Sequence, residues 1–125
     1  MVKIINGNIL KCKENVIVHQ TNIQGIMGGG VARQLSNRYE SLEEEYRNFC
    51  KYYNYDYKKL KGRVFKIMLQ GKIIMNMFSQ KENFDTDYEA MEKGLEEIKE
   101  YVKRANLSIA IPYRDRLWNC QWRLE

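Results

Sequence analysis

Apolar and polar positions along this 125-residue chain fall into blocks whose spacing names their secondary structure. Residues 2–5 form a short apolar run with strand character, closed by Gly7. Val16-Ile17-Val18 is β-branched and fully apolar, as in a buried parallel strand. A polar stretch, His19-Gln20-Thr21-Asn22-Ile23-Gln24, follows it, and then Gly25, Gly28, Gly29 and Gly30 arrive within six residues. Val31-Ala32-Arg33-Gln34-Leu35 reads as the start of a helix. Ser41 and Glu44 have the spacing of a capping box for a second helix, in which Leu42, Tyr46 and Phe49 repeat at helical spacing. Residues 63–69 and 72–78 read as two strands joined by Gln70-Gly71, a hairpin connection. Thr86 and Glu89 predict a capping box for a third helix, whose apolar stripe is Tyr88, Met91, Leu95, Ile98 and Val102. That stripe is core. Residues 107–111 make one more apolar strand, ending at Pro112-Tyr113.

Strands and helices alternate enough to predict an α/β layered fold with a mixed sheet. In such sheets ligands sit outside the carboxyl ends of strands. The segment from His19 to Gly30 is expected in that place, as a loop after the strand ending at Val18.

Composition narrows the function classes. The length fits one domain over residues 1–125, and 44% hydrophobic with 30% charged residues is ordinary for a globular protein. The net charge of +5 favours an anionic partner, although Lys and Arg are interspersed with Glu and form no basic tail. Cys12, Cys50 and Cys120 are odd in number and far apart, and the lone His19 completes no metal site, so neither a metal nor a cofactor is expected. The start of the chain lacks a signal-peptide apolar region, and no apolar run approaches the roughly 20 residues of a membrane span. The expected setting is reducing and cytoplasmic.

The glycine cluster carries the chemistry. Glycines let the backbone adopt positive φ and approach a ligand closely. The free N–H groups of the helix that follows then point at an anion, assisted by the helix dipole. A phosphate or diphosphate suits such a loop, and a purely structural turn is the other reading of the same spacing. No Gly-Lys-Ser/Thr follows, so the loop is not a P-loop. Asn22 opens it where a dinucleotide fingerprint needs glycine.

With these residues in view, the chain resembles the macrodomain family. Val18-His19-Gln20-Thr21-Asn22, then Gly25, then Gly28-Gly29-Gly30-Val31-Ala32, is similar to the first ligand loop of that family. Gly7-Asn8-Ile9-Leu10 resembles its short adenine-side motif. Asn76-Met77-Phe78-Ser79-Gln80 with Asp87-Tyr88 resembles a segment of the members related to ADP-ribose-1″-phosphate phosphatases and terminal ADP-ribose hydrolases. The resemblance covers residues 1–113. It implies a three-layer α/β/α fold and binding of ADP-ribose. By position, Asn8 meets the adenine, with Ile9 beside it, and Asn22 holds the distal ribose. Gly25 belongs to the loop, and Gly28, Gly29, Gly30 and Val31 give backbone N–H groups to the diphosphate. His19 falls where many relatives have Asn and is a catalytic candidate together with Asn22. In the glutamate-type hydrolases of the family a lysine attacks the ribose. Gln80 occupies that position here, with Lys81 next to it.

The tail departs from the family pattern. Where macrodomains carry a second glycine-rich loop, then a helix and a strand, this chain reads Arg114-Asp115-Arg116-Leu117-Trp118-Asn119-Cys120-Gln121-Trp122-Arg123-Leu124-Glu125. The expected fold therefore lacks the usual last helix and strand, and one face of the sheet lies uncovered. Back-translated and read one base later, the tail can encode Ile-Gly-Cys-Gly-Ile-Ala-Ser-Gly-Asp-Trp, which resembles the missing loop. Two origins follow: one extra nucleotide near the codons of Tyr113 and Arg114, or a diverged native loop in which Asp115 replaces an acidic catalytic residue. Trp118 is expected to be exposed or packed rather than stacked on ligand.

Three functions fit. The first is binding of ADP-ribose or an ADP-ribosylated macromolecule, with hydrolysis of ADP-ribosyl linkages or of ADP-ribose-1″-phosphate. The second is a non-catalytic ADP-ribose or nucleotide module, which the altered tail favours. The third is binding of poly(ADP-ribose) or RNA, using the charge and the tyrosines Tyr52, Tyr53, Tyr55 and Tyr57. A membrane partner is not expected.

Overall fold

Two-residue alternation along the central strands divides the molecule into layers. The computed structural model describes residues 2–6, 8–28, 30–81, 85–114 and 117–124, with side chains over 8–28, 30–81 and 85–112. In β2 (Val16–Thr21), Val16 and Val18 join one buried cluster and Ile17 the other. In β4 (Lys72–Phe78), Met75 and Met77 take the first side while Ile74 and Phe78 take the second. Each side is closed by helices. Val31 and Leu35 of α1 (Gly30–Arg38) and Leu42 and Tyr46 of α2 (Leu42–Tyr52) cover Ile17, Ile74 and Phe78. Ile98 and Val102 of α4 (Tyr88–Arg104) cover Val16, Val18, Met75 and Met77. Each such fully buried aliphatic side chain contributes about 1.5–3 kcal/mol relative to leaving it in water.

The sheet has six strands in the order β1-β6-β5-β2-β4-β3. The edge strands are β1 (Val2–Asn6) and β3 (Val64–Leu69), and β5 is Ile109–Arg114. β2 runs parallel to both β4 and β5, and β3 pairs antiparallel with β4, so the sheet is mixed, as expected. The β3–β4 connection is the predicted hairpin. Gln70 and Gly71 both have positive φ, 51° and 78°, as a two-residue turn between twisted strands requires.

Several local expectations are corrected. The polar residues His19, Gln20 and Thr21 belong to β2 and not to a loop: they pair in register with Asn76, Met77 and Phe78 of β4. Ser41 makes no capping bond to α2: it enters with φ −90° and ψ −1°, already helical, where a capping residue is extended. Asp87, not Thr86, caps α4, accepting from the Ala90 N–H at 3.2 Å. Tyr88 is exposed in the first turn of α4 and does not extend its buried stripe. A further short helix, α3 (Tyr57–Leu60), precedes β3, with Asp56 as its cap.

The tail is corrected as well. Instead of leaving no further strand, Leu117–Leu124 forms β6, antiparallel to both β1 and β5. A strand there satisfies the facing backbone edges of β1 and β5, which would otherwise be open, and the segment contains neither Gly nor Pro to interrupt it. No helix lies between β5 and β6 among the described residues. Gly7 and Asp115, and the side chains of Trp118, Cys120 and Trp122, lie outside what the structure describes.

Candidate functional site

β2 and β4 end side by side, with Thr21 paired to Phe78, and the segments beginning at Asn22 and Ser79 leave from this one edge of the sheet. Parallel strands deliver side chains and free backbone groups to such an edge.

Three residues of α2, spaced i, i+3 and i+4, hold the loop that starts at Asn22. The Tyr46 hydroxyl donates to Asn22, meeting both its carbonyl oxygen and its Oδ1, the latter at 2.8 Å. Asn22 Oδ1 also accepts the Gln24 N–H at 2.9 Å. Arg47 Nε donates to the Gly25 carbonyl at 3.2 Å. Glu43 Oε2 accepts the Met27 N–H at 2.7 Å, and its other oxygen lies 3.6 Å from the Arg47 guanidinium. Burial pushes the Tyr46 phenol well above its ordinary range, so it stays a donor. Gly25 has φ +77°, and a Cβ there would sit 3.0 Å from Tyr55 Cε1 and 3.2 Å from Arg47 Cγ. Conformation and space both demand glycine.

Beyond this anchored half, the loop opens. Gly28 is exposed, with nothing within 4 Å of where a Cβ would be. Gly29 lies outside the described residues. Gly30 begins α1 with φ +57°, and no acidic residue occupies the first turn of that helix. Its start therefore presents N–H groups and the positive end of the helix dipole without an internal carboxylate as competitor. Val31 is buried, so only its backbone can face a ligand.

The other predicted residues lie around this loop in different states. Asn8 is exposed and caps a 3-10 turn (Ile9–Lys11), its Oδ1 accepting the Leu10 N–H at 2.9 Å. Ile9 is wholly buried in the same cluster as Val31 and can reach a ligand only through its backbone. His19 is buried on β2, with Nε2 2.7 Å from Asn76 Oδ1, and Asn76 Nδ2 donates to the Phe65 carbonyl at 3.0 Å. Because the Asn76 oxygen accepts, Nε2 carries the proton. Nδ1 is buried without a hydrogen-bond partner among the described residues. Burial pushes the His19 pKa down to about 4, against a smaller upward pull from Asn76, so the ring is neutral at physiological pH. Gln80 is half-buried and bridges to Thr86. Lys81 is exposed, with its N–H on the Asp85 carbonyl at 2.8 Å.

Sequence reasoning missed the scaffold of the site. Tyr46 was legible only as part of an apolar stripe, and the signal that could have exposed its role is the spacing of Glu43, Tyr46 and Arg47. Gln20 was missed too: its Oε1 accepts from the hydroxyls of Ser79 at 2.9 Å and Thr86 at 3.3 Å, tying β2 to the segment carrying Gln80. On the α4 side of the sheet, a cleft of about 250 Å³ opens between Val18, Met77, Met91, Leu95, Ile111 and Pro112. Among the described residues, no group of His, Cys, Asp or Glu could hold a metal ion, and no helix is long and apolar enough to cross a membrane.

The layering, the mixed sheet and the helix that starts from a glycine-rich loop define a macrodomain fold. The macrodomain of Mycobacterium tuberculosis DarG superimposes with a TM-score of 0.75 over 90% of this chain and 76% of that one, at 22% identity. Thermosipho africanus DarTG, solved in complex with ADP-ribose, superimposes with a TM-score of 0.63 over 79% of this chain and 29% of that one, at 16% identity. In sequence, the chain is similar to the ADP-ribose 1″-phosphate phosphatase of Saccharomyces cerevisiae, 41% identical over 51 residues that make up 39% of this chain. The match spans 29% of that enzyme's length. No protein-family model matches the chain.

Proposed function

We propose that this protein binds ADP-ribose, free or attached to a macromolecule, in the loop from Asn22 to Val31. The observation that carries the reading is the division of that loop. Its first half is fixed to α2 by Glu43, Tyr46 and Arg47, and its second half, exposed at Gly28, leads into a helix start with no acidic residue. A rigid frame around free N–H groups is what a diphosphate needs, because little ordering remains to be done on binding. Likeness to a phosphatase of ADP-ribose 1″-phosphate and to a structure holding ADP-ribose supports the choice of anion.

In this reading Gly28, Gly29, Gly30 and Val31 donate backbone N–H groups to the diphosphate, and Gly25 sets the turn. Asn22, whose Oδ1 is already engaged by Tyr46 and Gln24, offers its amide N–H₂ to the distal ribose. Asn8 offers its own amide to the adenine beside Ile9. Hydrolysis would need a water or a nucleophile next to the distal ribose. Gln80 and Lys81 follow β4 at the edge where Asn22 leaves the sheet, and in this reading one of them supplies it. His19, buried and neutral, acts by positioning this edge through Asn76. The free thiols Cys12 and Cys50 agree with a reducing, cytoplasmic setting.

A second reading, binding without turnover, is favoured by the tail. Residues 113–125 contain no glycine, and residues 117–124 are committed to β6, so a second phosphate loop is not available there. Calorimetric titration with ADP-ribose, with AMP for comparison, tests both readings. Binding tighter than AMP supports the site, and release of phosphate or ADP-ribose from the corresponding substrates then separates enzyme from module. A folded chain that binds neither compound refutes both.

A further inference from the structure

The sequence has no unbroken basic run, yet its cations concentrate in one segment. Seven of the 20 residues between positions 47 and 66 are Lys or Arg and one is Asp, a net charge of +6, against +5 for the whole chain. They lie on the second half of α2, on α3, in the α3–β3 connection and on β3. Three of the seven are partly neutralised: Arg47 by Glu43, Lys61 by Asp87 and Glu89, and Lys66 by Glu97. Lys51, Lys58 and Lys59 are exposed and form no ion pair among the described residues.

Aromatic rings stand among these cations and are held in place. Tyr52 is 79% exposed, an unusual position for a large ring. It meets Tyr53 edge-on at 5.0 Å, Tyr53 leans on Phe49 at 5.2 Å, and Phe49 stacks on Phe65 at 4.7 Å. The Arg63 guanidinium lies over the Tyr53 ring, 4.4 Å from its centre. Tyr52 is thus the outer end of a row of rings rooted in the core. Tyr55, 40% exposed, sits at φ +54°, and this turn lays its ring beside Gly25. A bulky residue held at positive φ is rare and costs energy that the rest of the fold must offset.

We propose that this surface binds a single strand of nucleic acid, with its phosphodiester chain along Lys51, Lys58 and Lys59 and its bases stacked on Tyr52 and Tyr55. The cations alone would fit any polyanion. The rings select for unstacked bases, because a duplex hides base faces and an acidic peptide has none to offer. Tyr55 and Arg47 touch both this surface and Gly25, so a bound strand runs up to the glycine-rich loop.

The test is fluorescence anisotropy of labelled 20-nucleotide oligo(dT) and oligo(U) with the full chain, against a duplex of the same length. Binding of single strands is expected, with a log–log salt slope of about −2, from roughly 0.7 per neutralised phosphate over three lysines. The triple variant Lys51→Glu, Lys58→Glu, Lys59→Glu is expected to abolish it. Tyr52→Ala is expected to weaken it about tenfold, from the stacking of one base. Both variants should leave titration with ADP-ribose unchanged, which keeps this surface distinguishable from the nucleotide loop. DNA preferred over RNA, or the reverse, names the source of the strand. Equal affinity for duplex, stronger competition by poly(ADP-ribose), or binding indifferent to these substitutions overturns the proposal.

Discussion

The Tyr46 hydroxyl donates to Asn22, and through that contact α2 fixes where the glycine-rich loop leaves the sheet. The pair ties a residue of the buried cluster to the residue proposed to hold the ribose. Tyr46→Phe keeps the ring, which stacks 5.9 Å from Phe78, and removes only the hydroxyl. Loss of that hydrogen bond should cost about 1–2 kcal/mol in urea unfolding. Affinity for ADP-ribose should fall about tenfold, because Asn22 is then free to turn. Unchanged affinity with reduced stability would confine Tyr46 to the core.

Gly25→Ala probes the same frame from the other side. A methyl group at φ +77°, facing Tyr55 at 3.0 Å and Arg47 at 3.2 Å, is strained in both conformation and space. We expect a stability loss of about 1–3 kcal/mol by chemical denaturation and a larger proportional loss of nucleotide binding. Gly28→Ala is the contrast. Nothing lies within 4 Å of its added methyl, so stability should hold while the methyl crowds a bound diphosphate.

The layers were legible in the sequence, because the unbroken β-branched run of residues 16–18 reports a strand buried on both faces and helical spacing in residues 91–102 reports one buried helix face. The hairpin was legible from Gln70-Gly71. The end of β2 was not, since His19, Gln20 and Thr21 are polar yet paired in mid-sheet. Their hydrogen-bond partners lie far along the chain: Asn76 for His19 Nε2, and Ser79 and Thr86 for Gln20. Local pattern cannot see such partners. The same limit hid the cap of α4, where both Thr86 and Asp87 are capable and tertiary bonding takes Thr86 for Gln20. Of the site, the glycine loop was visible because backbone conformation leaves a compositional mark. Its anchors on α2 were not, because a tyrosine on an apolar stripe reads as core whether or not its hydroxyl works.

His19 is the chain's one histidine, so it can be titrated without interference. Its folded pKa, about 4, lies below the ordinary value of 6.5. The unfolded state therefore binds more protons between these values, and stability is full above about pH 6.5 and falls as pH drops toward 4. The loss should be on the order of 2–3 kcal/mol. Urea unfolding at pH 7 and pH 5, with His19→Asn as reference, measures it. The variant should show a flatter profile over that interval, where few other groups titrate. An NMR titration placing the His19 pKa near 6.5 would contradict burial as its cause.

The tail offers the sharpest change in function. Residues 117–124 form β6 directly after β5, whereas the bases read one position later can encode a glycine-rich segment. Replacing residues 115–125 with that segment, continued in the same frame, is expected to bring glycine N–H donors to the diphosphate. Each charge-assisted hydrogen bond to a diphosphate is worth about 1.5–3 kcal/mol, and about 1.4 kcal/mol is tenfold in affinity. Two such bonds should raise ADP-ribose affinity at least a hundredfold by calorimetry. If the continuation also folds onto the cleft between Met91, Leu95 and Ile111, the melting temperature should rise as that apolar surface is covered. A chimera that gains stability without affinity would mean that the first loop alone sets binding. One that gains neither would identify the present tail as the native partner of this sheet.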